Sequence, residues 1–175
     1  VGREILSYKG APGQEILISH AEVLDENGNF YTQNLRSAKA QSRFICSGEE
    51  DCFEPLFTFY GFRYLKVEGI DEDLNPDNFS AAVVFSDMPE NGNFSSSNAM
   101  VNQLQSNIQW GLAGNFIDVP TDCPQRDERL GWMGDAQVFI RTASYNYDVL
   151  KFFKKWLNDV KIEQYENGAV PDFVP

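Results

Sequence analysis

Five carboxylates lie in one short segment of the chain, between Asn115 and Asp135, and two guanidinium groups and an indole lie among them. The set comprises Asp118, Asp122, Arg126, Asp127, Glu128, Arg129, Trp132 and Asp135. Carboxylates and guanidinium groups make directional hydrogen bonds to hydroxyls, and an indole face can cover the apolar side of a sugar ring. A glycosidase also needs a carboxylic acid that protonates the leaving oxygen. The segment is therefore a candidate sugar site.

This segment is predicted to be an irregular connection between helices. Pro120 and Pro124 forbid a continuous helix, and Gly131 and Gly134 permit tight backbone turns. Long irregular connections inside a compact domain usually serve a function. The pattern thus favours a functional loop.

Each of these residues also has a structural interpretation. Asp135 stands just before a predicted helix and suits its N-cap, a role that can coexist with binding. Asp122 precedes Cys123-Pro124, where Asp often forms an Asx turn. The acids and arginines could form exposed ion pairs of little energetic value, and Trp132 taken alone is more typical of a core. Taken singly the structural interpretations are favoured, but the density of the cluster argues against all of them holding together.

The run from Pro120 to Gln137 reads PTDCPQRDERLGWMGDAQ and closely resembles the signature of bacterial α-L-rhamnosidases. The stretch Phe57–Tyr64, FTFYGFRY, resembles the strand motif that precedes the catalytic domain of that family. Lys155–Asp159 and Gly168–Pro171 resemble the helix and turn that follow the signature. The resemblance extends from about Gln14 to Pro175.

The resemblance implies a fold and a reaction. It implies an α+β fragment, in which a partial β-sandwich precedes the first helices of an (α/α)6 barrel. Family members hydrolyse terminal α-L-rhamnose from glycosides or polysaccharides with inversion. By motif position Glu128 matches the general acid, and Asp122, Arg126, Trp132 and Asp135 match residues that hold the rhamnose.

The resemblance also implies what the chain lacks. The general base of the family is a glutamate later in the barrel, so the 175-residue chain is expected to be inactive alone. Asp127 receives no direct role. We expect no metal and no cofactor, because protonation and water attack suffice for hydrolysis. A homodimer of the intact protein is left open.

Charge and cysteine content narrow the partners and the compartment. The chain has 14 Lys and Arg against 26 Asp and Glu, a net charge of −12, which disfavours nucleic acid and anionic membranes. No apolar run is long enough to span a bilayer. Cys46, Cys52 and Cys123 cannot all pair within the chain, which favours a reducing, cytoplasmic compartment over a secreted or periplasmic one. A Cys46–Cys52 bridge stays open, and a single histidine, His20, excludes a zinc site with several imidazoles.

The elements that must position the site change in character near residue 94. Residues 1–94 are predicted to be the C-terminal part of a β-sandwich, and residues 95–175 the N-terminal part of the barrel domain. The predicted strands lie at Glu15–Ile18, Phe30–Thr32, Ser42–Cys46 and Leu56–Val67, with a turn at Asp25–Asn29 and a buried strand at Ala81–Ser86.

Helical spacing of apolar residues predicts three helices in the second part. They run from about Met100, from Asp135 to about Tyr145, and from near Asp148 to a stop at Gly168 and Pro171. An aromatic stripe on the third helix contains Phe152, Phe153 and Trp156. It is expected to be a packing face, left exposed here because its partners would lie in the rest of the barrel.

A second class of function remains open at this point. A non-catalytic carbohydrate-binding module, or a structural β-sandwich module, would use aromatic and hydrogen-bonding residues but would not need an acid such as Glu128. The rest of the protein's reading frame, inspected for further barrel helices and a late glutamate, would separate these alternatives.

Overall fold

Two antiparallel three-stranded sheets form the β-rich part in the computed structural model, which describes residues 1–71 and 73–175. Their strand orders are β6-β1-β8 and β5-β2-β7. The strands of the first sheet are β1 (Gly2–Tyr8), β6 (Asp51–Phe53) and β8 (Phe79–Val83). Those of the second sheet are β2 (Glu15–Ala21), β5 (Gln41–Ile45) and β7 (Tyr64–Glu68). The outer strands of both sheets pair on one side only within the described residues, as expected for a partial sandwich.

Alternating apolar residues pack the two sheets face to face. Ile16 and Ile18 lie two positions apart on β2, so both point to the same face, and both are fully buried together with Leu6 of β1. Phe44 of β5 stacks on Phe53 of β6, with ring centroids 5.1 Å apart. Because these contacts join one sheet to the other, the predicted β-sandwich is confirmed.

A short hairpin surrounds the turn that the sequence predicted at Asp25–Asn29. Strands β3 (Val23–Leu24) and β4 (Phe30–Tyr31) pair antiparallel across it. Asp25 closes the turn, because its Oδ1 accepts hydrogen bonds from the backbone N–H groups of Asn27 and Asn29. Gly28 supplies the positive φ of 81° that the turn requires.

Two predicted strands differ from the structure. In the stretch Leu56–Val67, only the end belongs to a strand, and Phe57 is fully exposed with a φ of 61°, which no strand residue adopts. The predicted buried strand Ala81–Ser86 is the edge strand β8, in which Val83 is 53% exposed. An edge strand pairs on one side only, so its side chains are less covered than those of a central strand.

Three helices follow the strands, as the change in periodicity predicted. They are α1 (Ala99–Asn115), α2 (Met133–Asn146) and α3 (Leu150–Ile162). Asn98 caps α1, because its Oδ1 accepts a hydrogen bond from the Met100 N–H at 2.9 Å. The predicted N-cap role of Asp135 is wrong: α2 begins at Met133, so Asp135 lies in its first turn, where a carboxylate still interacts favourably with the helix dipole.

The aromatic stripe of α3 is buried, so its predicted exposure is wrong. Phe152 stacks on Phe116 with nearly parallel rings, whose centroids are 4.7 Å apart. Trp156 is 2% exposed, and its indole N–H donates to the Val174 carbonyl at 2.9 Å. Residues from outside the three helices therefore cover a face that helices alone would have left open. Large apolar side chains are exposed on α1 and α2 instead, at Met100, Leu104, Trp110 and Val138.

The chain divides into two units, each with its own core. Unit 1 comprises Val1–Val84 and Gln125–Asp127, and unit 2 comprises Phe85–Pro124 and Glu128–Pro175. The three cysteines are free thiols, so the Cys46–Cys52 bridge left open by their spacing is not formed. Among the described residues, none of the helices is both long and apolar enough to cross a membrane.

Candidate active site

A strained hairpin in unit 2 leads into the signature segment. Strands β9 (Phe116–Ile117) and β10 (Val119–Pro120) pair antiparallel around Asp118, whose φ is 67°. The Lys155 Nζ of α3 donates to Asp118 Oδ2 at 2.9 Å and pairs with Asp159 at the same distance. Hydrogen bonds to Asp159 and Asp118 raise the pKa of Lys155, so the ammonium stays charged. This pairing tethers the turn that precedes Thr121 and Asp122.

A loop closes between Asp122 and Leu130. The Leu130 N–H donates to Asp122 Oδ1 at 3.1 Å, and the Asp122 N–H donates to the Leu130 carbonyl at 3.2 Å. The sequence folds this way because Pro120 and Pro124 exclude a helix, and because Arg129 adopts a φ of 49° that turns the chain back. The carboxylate of Asp122 thus lies at the base of the loop that carries Glu128.

Asp122 and Glu128 lie close to each other and to a buried thiol. One oxygen of each carboxylate and the sulfur of Cys123 all lie within 4.8 Å of one another. In the described part of the chain this is the one group of three or more His, Cys, Asp and Glu side chains near enough to share an ion. Two hard carboxylates with one soft thiol match neither the usual zinc donors nor the oxygen cages of calcium and magnesium. We therefore assign no metal here.

The backbone after the loop is held by a later segment of unit 2. The N–H of Met133 donates to the Asp172 carbonyl at 2.8 Å, and the N–H of Val174 donates to the Gly131 carbonyl at 2.9 Å. Between these bonds the Trp132 ring packs against Phe173, with centroids 5.0 Å apart. The Trp132 ring nitrogen is buried and has no hydrogen-bond partner among the described residues.

A cavity of about 600 Å³ in unit 2 contains two of the predicted site residues, Asp122 and Asp135. Its volume lies within the range of about 300–1,000 Å³ that is typical of small-molecule sites. The walls are mainly apolar, formed from α1, α2 and the β9–β10 hairpin, and include Leu112, Phe116 and Phe139. Glu128 and Trp132 do not line this cavity, although Glu128 lies beside Asp122.

Arg126, the remaining predicted residue, belongs to unit 1 with its two neighbours. Asp127 accepts a short hydrogen bond from the Ser37 hydroxyl, and its N–H points to the Leu35 carbonyl at 3.5 Å. The Ser37 hydroxyl and N–H, and the Arg36 charge, lower the pKa of Asp127 below its usual value. Nothing in the sequence around Ser37 indicated this contact, since an exposed serine in a loop carries no periodicity or motif.

Comparisons with known proteins agree over almost the entire chain. The model of the bacterial alpha-L-rhamnosidase concanavalin-like domain matches residues 1–85, and that of the bacterial alpha-L-rhamnosidase 6 hairpin glycosidase domain matches residues 89–175. Only residues 86–88 fall outside the two matches.

Individual relatives carry the same description. An alpha-L-rhamnosidase of Formosa agariphila is 48% identical over the whole chain, which covers 19% of that relative. The chain also matches the crystal structure of the Streptomyces avermitilis alpha-L-rhamnosidase complexed with L-rhamnose, with 42% sequence identity and a TM-score of 0.95. The match covers 99% of this chain and 17% of that protein. The alpha-L-rhamnosidase from Dictyoglumus thermophilum is 38% identical with a TM-score of 0.94, over 99% of this chain and 20% of that one. The chain thus spans about a fifth of the length of the relatives it matches.

Proposed function

The chain belongs to the bacterial α-L-rhamnosidase family, and from that membership we propose that the protein carrying it removes terminal, non-reducing α-L-rhamnose from glycosides or polysaccharides with inversion. The observation that carries the proposal is a match over 99% of this chain, at 42% sequence identity, to an α-L-rhamnosidase whose structure is described as complexed with L-rhamnose. The homodimer of the intact protein stays a prediction.

Glu128 is the proposed general acid. It lies in the loop closed by the Asp122–Leu130 bonds, beside Asp122. An inverting pair needs carboxyl groups about 6.5–9.5 Å apart, so that a water can attack from the opposite face of the sugar. The carboxylate oxygens of Asp122 and Glu128 lie within 4.8 Å, too close to admit that water. We therefore propose that Asp122 binds substrate and that the base lies elsewhere in the protein.

The remaining predicted residues are proposed to bind the sugar. Asp122 and Asp135 in the cavity would accept hydrogen bonds from sugar hydroxyls. The apolar wall at Phe116 and Phe139 suits the methyl group of a deoxy sugar. Trp132 offers an aromatic face, and Arg126 offers a fixed fork of donors.

Substrates with different leaving groups can test the proposed role of Glu128 as the general acid. An activated phenolate departs without a proton, whereas the alcohol released from a natural glycoside needs one. In the full-length protein, Glu128→Gln should therefore slow natural rhamnosides about 10²–10⁴-fold more than activated aryl rhamnosides, the usual range for positioned acid catalysis. Steady-state kinetics on both substrate types measure this gap, and ¹H NMR of the first anomer released reports the stereochemistry.

Two variants complete this experiment. Asp122→Asn should slow both substrates alike, because a binding residue serves either one, and Glu166→Gln changes an exposed carboxylate outside the site as a control. Equal slowing of both substrates by Glu128→Gln would move the acid role to another carboxylate of the segment. Rhamnoside binding without any turnover by the full-length protein would favour the carbohydrate-binding module instead.

A further inference from the structure

The two neighbours of Arg126 are each held by contacts inside unit 1. On one side, the Ser37 hydroxyl and the Ser37 N–H both donate to the Asp127 carboxylate. On the other side, Gln125 packs so closely on Gly61 that a Cβ added to the glycine would lie 2.8 Å from the Gln125 Cβ. The residues on both sides of Arg126 are therefore held by contacts within unit 1.

The loop that presents Ser37 is itself well defined. A short 3-10 turn, Gln33–Leu35, precedes it, and the Leu35 side chain is buried to 1% exposure. Arg36 then adopts a φ of 58°, and the Ala38 N–H donates to the Leu35 carbonyl at 3.2 Å. A buried anchor and a fixed turn leave the Ser37 hydroxyl little freedom to move away from Asp127.

From these contacts we propose that Ser37 is a positioning residue for Arg126, acting through Asp127. The inference rests on the proposed function, in which the Arg126 guanidinium holds the sugar. An arginine side chain is long and rich in rotamers, so the direction of its backbone decides where the guanidinium arrives. A small displacement of a binding group sharply reduces its contribution to the binding free energy of the sugar, because hydrogen bonds to hydroxyls are directional.

This role differs from a contribution to stability. Ser37 and Asp127 are both exposed, and exposed polar contacts of this kind contribute little to the free energy of unfolding. Loss of the hydroxyl should therefore leave the fold intact and release the Asp127 carboxylate. A binding group that acts alike on the bound substrate and on the transition state changes KM and leaves kcat nearly unchanged.

The test uses Ser37→Ala in the full-length protein. We expect KM for an aryl rhamnoside to rise about two- to tenfold, the value of one hydrogen bond, with kcat and the melting temperature unchanged. Ser37→Thr keeps the hydroxyl and should retain the original KM. Ser80→Ala, a change at an exposed serine of β8, should leave both kinetic constants unchanged.

Arg126→Ala separates failure of this inference from failure of the proposed function. If Arg126→Ala raises KM and Ser37→Ala does not, the positioning role of Ser37 is wrong and the sugar-binding role of Arg126 stands. If Arg126→Ala leaves KM unchanged, the proposed sugar-binding role fails first. In the double variant, Ser37→Ala should add almost nothing to Arg126→Ala, and an additive effect would overturn the link between the two residues.

A second readout needs no activity. Carbon-detected NMR titration of the 175-residue chain follows the Asp127 carboxyl directly. Because the Ser37 hydroxyl and N–H and the Arg36 charge lower the pKa of Asp127, Ser37→Ala should raise that pKa toward its usual value. Ser37→Thr should leave the pKa low. An unchanged pKa in Ser37→Ala would show that the bond does not hold Asp127 in solution and would refute the proposal.

Discussion

Glu4 and His20 form a fully buried pair in the β-sandwich unit. The His20 Nε2 lies 2.9 Å from Glu4 Oε2, and its Nδ1 lies 2.8 Å from the Ala40 carbonyl oxygen. A carbonyl oxygen only accepts hydrogen bonds, so the His20 Nδ1 donates to Ala40. The ring stacks on Tyr60 with centroids 3.9 Å apart. The pair joins β1 of one sheet to β2 of the other.

Because of this pair, the free energy of unfolding of the chain should depend on pH in the acidic range. Burial is the largest single influence and by itself raises the pKa of Glu4, but hydrogen bonds from His20, from Ser42 and from the backbone together outweigh burial and hold the pKa below its usual value of 4.5. A lowered folded-state pKa contributes stability that is present above the unfolded value and is lost as pH falls through the folded one. We expect the wild-type chain to lose more unfolding free energy than Glu4→Gln as the pH falls below about 4.5, measured by urea denaturation.

Two further variants, one disruptive and one control, accompany this prediction. Glu4→Ala leaves the buried His20 Nε2 without its hydrogen-bond partner, so it should cost about 1–3 kcal/mol of unfolding free energy. Glu26→Gln removes an exposed carboxylate in the hairpin turn and should follow the wild-type pH profile. Parallel pH profiles for wild type and Glu4→Gln would contradict the lowered pKa of the buried Glu4 carboxyl.

At the scale of elements, two glycines of the helical unit should respond oppositely to the same change. A Cβ on Gly131 would lie 2.1 Å from the Val174 carbonyl oxygen and 2.8 Å from the Trp156 ring nitrogen, so Gly131→Ala must push the two segments apart. We expect a loss of about 1–3 kcal/mol, the usual cost of overpacking. Gly111 lies inside α1 with open space around its Cα, so Gly111→Ala should stabilise the chain by about 0.5–1 kcal/mol.

Urea denaturation of both variants checks this pair. Both substitutions add one methyl group, but Gly111 lies in a helix with open space beside it, whereas Gly131 lies outside the helices against Val174. A stabilising Gly131→Ala would mean that the segment around Val174 does not pack on the signature segment in solution.

The elements that could be predicted from the sequence are those whose burial follows a simple period. Ile16 and Ile18 alternate on β2, and the stripe with Phe152 and Trp156 repeats at helical spacing, so both elements were predicted. Strand β1 was missed because an inward-facing Glu4 interrupts its apolar alternation, and its hydrogen-bond partner His20 lies far along the chain. Phe57 reads as a strand residue by type, yet its left-handed backbone makes it part of a turn.

The candidate site was predictable in composition and not in geometry. Residue types and the family signature gave the acids, the arginine and the indole. The contacts that hold them come from distant residues with no local pattern, such as Ser37 on Asp127 and Asp172 on Met133. Long-range polar contacts leave no periodicity in the sequence, so that part of the site required the structure.

At the scale of the whole molecule, the net charge of −12 opposes folding through self-repulsion. Raising the salt concentration from 0.01 to 0.15 M shortens the screening length from about 30 Å to about 8 Å. The ion pairs on the surface, such as Lys9–Glu49 with both side chains mostly exposed, have little to lose from screening. We therefore expect the melting temperature, measured by circular dichroism, to rise over this range of sodium chloride.

A charge-reduced variant provides the comparison. Glu26→Lys and Glu50→Lys each replace an exposed carboxylate by an ammonium group. Each substitution shifts the net charge by +2, so the net charge changes from −12 to −8. The rise of the melting temperature with salt should then be smaller. A melting temperature that falls with salt in the wild-type chain would show that local ion pairs outweigh the net repulsion.

The contacts between the signature segment and residues 172–174 also set an order of events during synthesis. Trp132 emerges from the ribosome about 40 residues before Phe173, its ring partner. At about 5–20 residues per second, the indole waits about 2–8 s for that partner. During this interval Gly131 and Met133 also lack the later backbone groups that bond to them, whereas the strands of the sandwich unit that precede them are already complete. The strands of the sandwich unit are therefore synthesised before the signature segment gains its contacts with residues 172–174.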